Sequence, residues 1–430
     1  MGQLGKTPPP RIRARYWIET AYPLAYAAEV MAGEQSSGTF IQVAGETAEL
    51  KEAHGARVEE IRELDSVQSP SLPGAGRPKG AGIWRRAEVE LSWPLENMGP
   101  SLPNLVATVA GNLFELKPFS GLRLLDVTLP EEFLGRYAGP QFGVAGTRRL
   151  AGVPSKPLVG TIIKPSVGLS PEATAAMAHA LAEGGIDFIK DDELQADGPH
   201  CSFALRSAAV LDVLKRHADR TGRMVLYACN ITGDMDEMLE RQEQLAAAGG
   251  TCAMVSLNSA GLPAVAALRK RSAVAIHGHR NGWGIYGRSP AIGMSYIAYQ
   301  KFYRLAGVDH LHVNGLSNKF CEDDASVIAS ARECLTPMFE VPGRGCEIMP
   351  VFSSGQSVKQ AAGTWAALGS TDLIFACGGG IMGHPGGIGA GVRAIHQAWD
   401  AALAGIPIEQ AAQGHRELRE ALATFGGPGQ

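Results

Sequence analysis

Short apolar runs alternate with amphipathic stretches through the last two thirds of the chain. The runs are four to six residues long and rich in aliphatic residues, which is typical of strands buried on both faces of a parallel sheet. Eight such strands are predicted: Leu158–Ile163, Asp187–Lys190, Met224–Cys229, Cys252–Ser256, Ala273–His277, His310–Val313, Ile348–Phe352 and Leu373–Cys377.

Helices are predicted between most of these strands, for example at Pro171–Glu183, Met235–Ala248 and Ser357–Leu368. Eight β–α repeats in about 270 residues are the expected size of a (β/α)₈ barrel, the TIM barrel. A doubly wound sheet is the alternative, but no GxGxxG motif follows the first strand of a β–α unit. The pattern therefore favours an α/β protein with a barrel.

The first third of the chain has a mixed pattern of strands and helices. Strands are predicted at Arg13–Thr20, Val58–Leu64 and Gly82–Leu91, and helices at Pro23–Gly33 and Ser101–Leu113. Residues 68–79 are rich in Pro, Gly and Ser and predict a surface loop. Because 430 residues exceed one ordinary core, we expect an N-terminal α+β domain at 1–147 and a barrel domain at 148–430.

The net charge bears on the expected binding partners, and the cysteines bear on disulfides and zinc sites. The chain has 39 basic and 43 acidic residues, a net charge of −4, which gives no reason to expect nucleic acid or a membrane as partner. Seven scattered cysteines without a CxxC pair argue against a disulfide framework or a structural zinc site. The N-terminus lacks the apolar segment of a signal peptide, and no apolar run is long enough to span a membrane. We therefore expect a cytoplasmic protein.

The barrel hypothesis predicts that active-site groups follow the carboxyl ends of the strands. Polar or glycine-rich groups follow at least seven of the eight predicted strands. They are Lys164, Lys190–Glu193, Asn230, the group His277, His279 and Arg280, then His312, Ser353–Gly355 and Gly378–Gly380. Such convergence indicates an enzyme that binds its substrate at this end of the barrel.

Lys190-Asp191-Asp192-Glu193 ends a predicted strand and predicts a Mg²⁺ site. Alternate side chains of a strand share a face, so Lys190 and Asp192 should point the same way, Glu193 can join them, and Asp191 should point away. A buried lysine loses its charge readily, and a neutral amine can take up CO₂ as a carbamate, which is an oxygen ligand. The alternative is a solvated acidic loop with a lysine counter-ion.

The other strand ends carry groups suited to proton transfer and anion binding. Lys164 could act as an acid–base group or hold a phosphate, His279 could move protons, and Arg280 could hold a phosphate or carboxylate. Ser353–Gly355 and Gly378–Gly380 follow strands seven and eight, where barrels commonly bind phosphate. The alternatives are a lysine at the barrel rim, structural histidines and tight barrel turns.

These motifs, in this order, resemble the RuBisCO large-subunit superfamily over nearly the whole chain. The segments that carry the resemblance are Gly160–Ser170, Gly184–Glu193, Gly378–Pro385, Glu34–Thr39 and Gly111-Asn112. The resemblance implies a ferredoxin-like N-terminal domain before the barrel, Mg²⁺ with CO₂ as a lysine carbamate, and a homodimer or larger oligomer with shared active sites that binds a sugar phosphate.

The resemblance also implies roles for individual residues. Lys190 is then the carbamylated ligand, Asp192 and Glu193 complete the Mg²⁺ site, Lys164 is the proton-transfer lysine, and Lys319 stands at the place of the mobile-loop lysine. The implied substrate-binding residues are Arg280, His312 and Ser353 on one phosphate side, Gly355, Gly378 and Gly379 on the other, and Glu34, Thr39 and Asn112, which reach the active site of the partner subunit.

Several departures argue against a true carboxylase. Ser166 replaces the second lysine of the carboxylase Lys-Pro-Lys motif, and the segments Leu194–Asp197, Asn281–Gly284 and Val313–Phe320 also differ from it. Strand seven ends in Ser-Ser-Gly-Gln in place of Ser-Gly-Gly. The chain is therefore identified as a RuBisCO-like protein of the form IV group, for which CO₂ fixation is the least expected activity.

The retained groups suit a reaction through an enediolate on a phosphorylated sugar acid. The segments His277–Trp283 and Asn314–Phe320 look most similar to the isoapionate-type group, which predicts a Mg²⁺-dependent 3-oxo-isoapionate-4-phosphate decarboxylase, a lyase of carbohydrate metabolism. The alternatives are a transcarboxylase/hydrolase of the same compound, a methylthioribulose-phosphate isomerase or a diketo-methylthiopentyl-phosphate enolase of methionine salvage. A non-catalytic member is also open, although most active-site positions are retained.

Overall fold

The fold is described from a computed structural model, which describes residues 9–38 and 43–425. The chain forms two compact units. The first unit comprises the chain up to Ala138 with Gly282–Phe302 and Met338–Arg344, and the second comprises Gly139–Asn281, Tyr303–Pro337 and the chain from Gly345 onwards. The predicted boundary between residues 147 and 148 stays a prediction about folding domains.

The strands are numbered in chain order: β1 (Arg11–Thr20), β2 (Arg57–Val67), β3 (Trp84–Pro94), β4 (Phe119–Thr128), β5 (Leu158–Ile162), β6 (Phe188–Lys190), β7 (Leu226–Asn230), β8 (Cys252–Ser256), β9 (Ala275–His279), β10 (Ile292–Met294), β11 (His310–His312), β12 (Met349–Phe352) and β13 (Ile374–Ala376).

The α-helices are numbered in the same way: α1 (Leu24–Glu34), α2 (Ala48–His54), α3 (Leu102–Val109), α4 (Gly143–Ala151), α5 (Pro171–Glu183), α6 (Phe203–Thr221), α7 (Met235–Ala247), α8 (Leu257–Ala260), α9 (Leu262–Arg271), α10 (Gly284–Gly287), α11 (Tyr296–Ala306), α12 (Asp324–Leu335), α13 (Gln360–Leu368), α14 (Gly379–Met382), α15 (Ile388–Leu403), α16 (Ile408–Gly414) and α17 (Arg416–Phe425). Short 3₁₀ helices lie at Leu95–Asn97, Asn112–Glu115 and Glu131–Gly135.

The first unit is built on a five-stranded sheet in the order β10-β4-β1-β3-β2. Alternation of polar and apolar residues in β1 buries Ile12, Ala14, Tyr16 and Ile18 on one face. The succession β1-α1-β2-β3-α3-β4 with sheet order β4-β1-β3-β2 confirms the ferredoxin-like prediction. The sequence pattern did not predict α2, β4 or β10.

The second unit contains a closed barrel of eight parallel strands, in the order β11-β12-β13-β5-β6-β7-β8-β9. Each predicted barrel strand corresponds to an observed one, so the TIM-barrel prediction is confirmed. The largest shift is in β9, which begins two residues later than predicted and runs to His279. The packed interior includes Leu158, Phe188, Met254 and Ile374, all without solvent exposure. No described helix is long and apolar enough to cross a membrane.

One buried carboxylate fixes the chain at the start of the barrel unit. Asp309 has no solvent exposure, and its side chain accepts hydrogen bonds from the amides of Phe142 at 2.6 Å, Gly143 at 2.9 Å and Ile276 at 2.8 Å. Gly143 begins α4 and Ile276 lies in β9, so one side chain ties a helix to a barrel strand. The amides of Gly143 and Ile276 are buried and would otherwise lack this partner.

We predict that Asp309→Ala lowers the free energy of unfolding by about 3 kcal/mol or more, because each buried amide left unpaired costs about 1–3 kcal/mol. Asp309→Asn keeps an acceptor oxygen and should lose less. Urea-induced unfolding at pH 7 measures both. Asp400→Ala removes an exposed carboxylate that pairs with Lys156, and it should cost under about 1 kcal/mol. Equal losses from Asp309→Ala and Asp400→Ala would contradict the prediction.

Candidate active site

The barrel strands bring most of the predicted site residues to one rim. Lys164 lies just beyond β5, Lys190 ends β6, His279 ends β9, His312 ends β11, and Ser353 follows β12. Because the strands are parallel and the barrel is closed, their carboxyl ends meet at the same end of the barrel. Side chains that are far apart in the sequence therefore surround one region.

Lys190 is a buried lysine at the centre of this rim, with no solvent exposure. Its Nζ donates to the Asp191 carbonyl oxygen at 2.7 Å and lies 3.4 Å from Glu193 Oε2. Burial lowers the pKa of Lys190, although the charges of Glu193 and Asp192 oppose this effect. A lowered pKa favours the neutral amine, which is the form that can combine with CO₂.

Lys164 contacts Asp192 from the neighbouring strand end. Lys164 Nζ lies 2.5 Å from Asp192 Oδ2 and donates to Ser166 Oγ at 2.9 Å. The other Asp192 oxygen accepts a hydrogen bond from the Leu194 amide at 3.1 Å. The structure thus brings together a predicted proton-transfer lysine and a predicted metal ligand, and Ser166 helps to hold the lysine.

Asp191 belongs to a different environment, as strand alternation predicted. Its carboxylate accepts hydrogen bonds from Arg206 Nε at 3.0 Å, Tyr227 Oη at 2.6 Å and the Asn230 amide at 2.9 Å. Asp191 and Arg206 are both almost completely buried. Burial alone would lower the pKa of Arg206, but the Asp191 charge raises it, so Arg206 stays charged. No local sequence motif marks this role of Arg206.

Glu193 and His279 face each other at the rim, with Glu193 Oε2 3.5 Å from His279 Nε2. Burial, together with the charge of Lys190, lowers the pKa of His279 to about 4. Burial would raise the pKa of Glu193, but His279 and Lys190 hold it at about 2. At neutral pH Glu193 is therefore a carboxylate, and His279 is an uncharged imidazole that can accept a proton.

A row of buried histidines lies beside these residues. The Nε2 atoms of His277 and His312 are 2.9 Å apart, and His312 Nδ1 lies 2.9 Å from Ser353 Oγ. His310 Nε2 lies 2.8 Å from Thr147 Oγ1. Burial lowers the pKa of His310 to about 3 and holds the pKa of His277 and His312 well below the usual value. All three imidazoles are therefore neutral in the folded chain at pH 7.

Arg280 is also buried at this rim and is paired with Glu322, a residue that the sequence reasoning missed. Their atoms Nη2 and Oε2 are 2.5 Å apart. Lys319 is exposed, and its amide donates to the Ser354 carbonyl at 3.2 Å. No local motif marks Glu322, because the pair joins positions 42 residues apart.

The three predicted phosphate-side glycines follow β12 and β13: Gly355 and Gly378 lie in loops, and Gly379 begins α14. Gly355 has a φ of +93°, a left-handed conformation that favours glycine. A Cβ at Gly379 would meet nothing within 4 Å, and one at Gly378 would meet Ile162 at 3.8 Å. Space is thus open beside Gly378 and Gly379, and their phosphate-binding role stays a prediction.

Glu34, Thr39 and Asn112 were predicted to act together from the first unit. Asn112 Nδ2 lies 3.5 Å from Glu34 Oε1, so the structure brings these two side chains together. Thr39 lies outside the described residues. The predicted contribution of these residues to the site of a partner subunit stays a prediction.

The side chains at the β6 end offer oxygen donors that suit Mg²⁺. Over residues 9–38 and 43–425, no group of three or more His, Cys, Asp or Glu side chains could hold a metal ion. Asp192 and Glu193 provide two hard oxygen donors, which Mg²⁺ prefers. The buried amine of Lys190 would provide a third oxygen donor once it carries CO₂. The residues present fit Mg²⁺ in that form.

We predict that acid weakens the fold through His277, His310 and His312. Their folded pKa values lie below the unfolded value of about 6.5, so the unfolded chain binds more protons and stability falls as pH drops from 7 towards 5. The loss should be about 1–2 kcal/mol for each histidine. Urea-induced unfolding at pH 7 and pH 5 measures it. His310→Gln should reduce this loss of unfolding free energy by about a third. Equal unfolding free energies of the wild type at pH 7 and pH 5 would contradict the prediction.

Comparison with known proteins shows the family. Residues 14–133 match the family described as ribulose bisphosphate carboxylase large chain, N-terminal domain. Residues 143–425 match ribulose bisphosphate carboxylase large chain, catalytic domain. The crystal structure of a rubisco-like protein from Burkholderia fungorum superimposes with a TM-score of 0.89 at 46% identity, and the match covers 96% of this chain and 99% of that one.

Two curated relatives have named activities. A 3-oxo-isoapionate-4-phosphate transcarboxylase/hydrolase from Xanthobacter autotrophicus is 56% identical, over 96% of this chain and 98% of its own. A 3-oxo-isoapionate-4-phosphate decarboxylase from Rhizobium etli is 43% identical, over 96% of this chain and 98% of its own. The two family matches together cover both units, and each of the two relatives does so by itself. The chain therefore belongs to the ribulose bisphosphate carboxylase large-chain family and is a RuBisCO-like protein.

Proposed function

We propose that this chain is a Mg²⁺-dependent enzyme that acts on 3-oxo-isoapionate 4-phosphate through an enediolate. One observation carries the proposal: Lys164, whose Nζ lies 2.5 Å from Asp192 Oδ2, is at the same barrel rim as Glu193 and the buried Lys190. A proton-transferring amine and a set of oxygen donors are thus adjacent. The family and the named relatives support this choice of substrate.

Lys190, carrying CO₂ as a carbamate, would hold Mg²⁺ together with Asp192 and Glu193. Bound Mg²⁺ would stabilise the negative charge that develops on the substrate oxygens. Arg280, His312 and Ser353 would bind one end of the substrate, and the Gly355, Gly378 and Gly379 loops the other. Lys319 would close over the bound substrate from the rim.

Decarboxylation of a β-keto acid has a simple balance of bonds. The bond between the carboxyl carbon and its neighbour breaks, CO₂ leaves, and the electron pair stays on the substrate as the enediolate. Lys164 Nζ then donates a proton to that carbon, and the amine is recharged from solvent, since its side chain is 42% exposed. His279, which is neutral at pH 7, would accept a proton from a substrate hydroxyl.

A second candidate is the transcarboxylase/hydrolase reaction on the same compound. It shares the enediolate step with decarboxylation, so the same residues serve both. The relative with this name is 56% identical, against 43% for the named decarboxylase, and the higher identity weighs towards this candidate. CO₂ fixation is not proposed, because Ser166 stands where the carboxylase has a second lysine.

The proposal includes assembly as a homodimer. Glu34, Thr39 and Asn112 would then reach the active site of the partner subunit, as the resemblance implies. Dimeric and octameric assemblies are named for solved relatives from Hyperthermus butylicus and Pyrococcus horikoshii, at 30% identity. A cytoplasmic location stays a prediction.

We predict that the protein with Mg²⁺ and bicarbonate consumes 3-oxo-isoapionate 4-phosphate. Release of CO₂ without glycolate identifies the decarboxylase, and release of glycolate identifies the transcarboxylase/hydrolase. Removal of Mg²⁺ with EDTA should abolish both. Lys190→Met should lower kcat by at least about a hundredfold, because the third oxygen donor is lost.

Lys270→Met is the control for that variant, since it removes an exposed lysine from α9 and should leave kcat unchanged. If neither CO₂ nor glycolate appears, or if EDTA has no effect, the proposed function is wrong.

A further inference from the structure

Glu322 holds its carboxylate against Arg280, the arginine that the resemblance assigns to a phosphate. Glu322 Oε2 lies 2.5 Å from Arg280 Nη2 and accepts a second hydrogen bond from Asn314 Nδ2 at 2.6 Å. The other oxygen, Oε1, accepts a hydrogen bond from Ser326 Oγ at 3.0 Å. Both carboxylate oxygens are therefore fixed by the protein.

The loop around Glu322 is built to keep this arrangement. Asn314 has a φ of +66° and Ser354 a φ of +70°, which are uncommon for residues other than glycine. Ser354 Oγ donates to Asn314 Oδ1 at 2.8 Å, and Asn318 Nδ2 donates to the Glu322 carbonyl at 3.1 Å. Asn314 is thus oriented on one side by Ser354 and on the other by Glu322.

The negative charge of Glu322 offsets the positive charge of Arg280. The Glu322 side chain is 14% exposed and that of Arg280 is 7% exposed, so solvent screens the pair weakly. His312 adds no charge, because burial holds its pKa well below the usual value. Lys319 Nζ lies over the Phe320 ring, 5.2 Å from its centroid. A phosphate dianion beside Arg280 would meet the Glu322 carboxylate at close range, which is unfavourable.

The surrounding polar groups suit an uncharged ligand. Asn314, Ser353 and Ser354 offer amide and hydroxyl groups, which bind hydroxyls well and add no charge. A sugar hydroxyl can donate to one of these groups and accept from another. The arrangement thus favours the hydroxylated end of a sugar over a phosphate.

We infer that Glu322 is a specificity-determining residue. Its carboxylate makes the Arg280 side of the site select an uncharged end of the sugar. The substrate is therefore limited to one phosphate, which binds away from Arg280. The inference rests on the proposed function for the nature of the substrate. It changes the expectation from the resemblance, in which Arg280, His312 and Ser353 hold a second phosphate.

The test measures binding of two unreactive polyols, ribitol 5-phosphate and ribitol 1,5-bisphosphate, by calorimetry in Mg²⁺ and bicarbonate. Wild type should bind the bisphosphate no more tightly than the monophosphate. Glu322→Gln keeps the size of the side chain and an acceptor oxygen for Arg280 and Asn314, its amide nitrogen can donate to Ser326 Oγ, and the charge is removed. It should bind the bisphosphate on the order of tenfold more tightly than wild type, with the monophosphate changed less than about twofold.

Asp324→Asn is the matched control, because it removes the same charge two residues away, where the carboxylate accepts a hydrogen bond from the Ser317 amide at 2.7 Å. It should bind both polyols like wild type. A wild-type preference of tenfold or more for the bisphosphate would overturn the inference, since Glu322 would then move aside for phosphate. The inference would also be overturned if Glu322→Gln showed the same relative affinity for the two polyols as wild type, or if it did not bind the bisphosphate. Binding needs no turnover, so these outcomes are separate from failure of the product assay.

Discussion

The site depends on the complete burial of one amine. Lys190 has no solvent exposure at the point where β6 leaves the barrel, and a charged ammonium in such a place is unfavourable unless it is paired. The nearby carboxylates of Asp192 and Glu193 oppose the loss of charge, while burial favours it. The proposed conversion to a carbamate would resolve this conflict, because it would replace the cation with an oxygen donor that a divalent cation could share with the two carboxylates.

The orientation of these residues depends on the chain around them. Asp187, just before β6, pairs with Arg223. Asp191, just after β6, pairs with Arg206. The pair at the carboxyl end is almost completely buried and also contacts Tyr227 on β7. Because Asp191 is held on that side, strand alternation turns Lys190 and Asp192 to the other. The buried pair of Asp191 and Arg206 thus positions the site without belonging to it.

The barrel could be predicted from the sequence because its strands are short, apolar and regularly spaced. The polar groups at the strand ends could be predicted for the same reason, since parallel strands bring their carboxyl ends together. The elements of the first unit that were missed include α2, β4 and β10. In β4 the apolar positions do not alternate regularly, β10 has three residues, and α2 buries no side chain. Their formation depends on pairing and packing that no local pattern reports.

The residues that were missed at the site share a physical reason. Arg206 lies on a helix, where an arginine usually faces solvent, and its role depends on a carboxylate 15 residues away. Glu322 contacts Arg280, which lies 42 positions away in the sequence. In each case the contact joins a pair of residues, and the sequence shows only its separate members.

The central claim is that Lys190 combines with CO₂ to complete a metal site. The most direct measurement is carbon-13 NMR of the protein in labelled bicarbonate, with and without Mg²⁺. The account predicts a carbamate signal that Mg²⁺ strengthens, that Lys190→Arg abolishes and that Lys164→Met retains. A missing signal in wild type, or one that survives in Lys190→Arg, would contradict it.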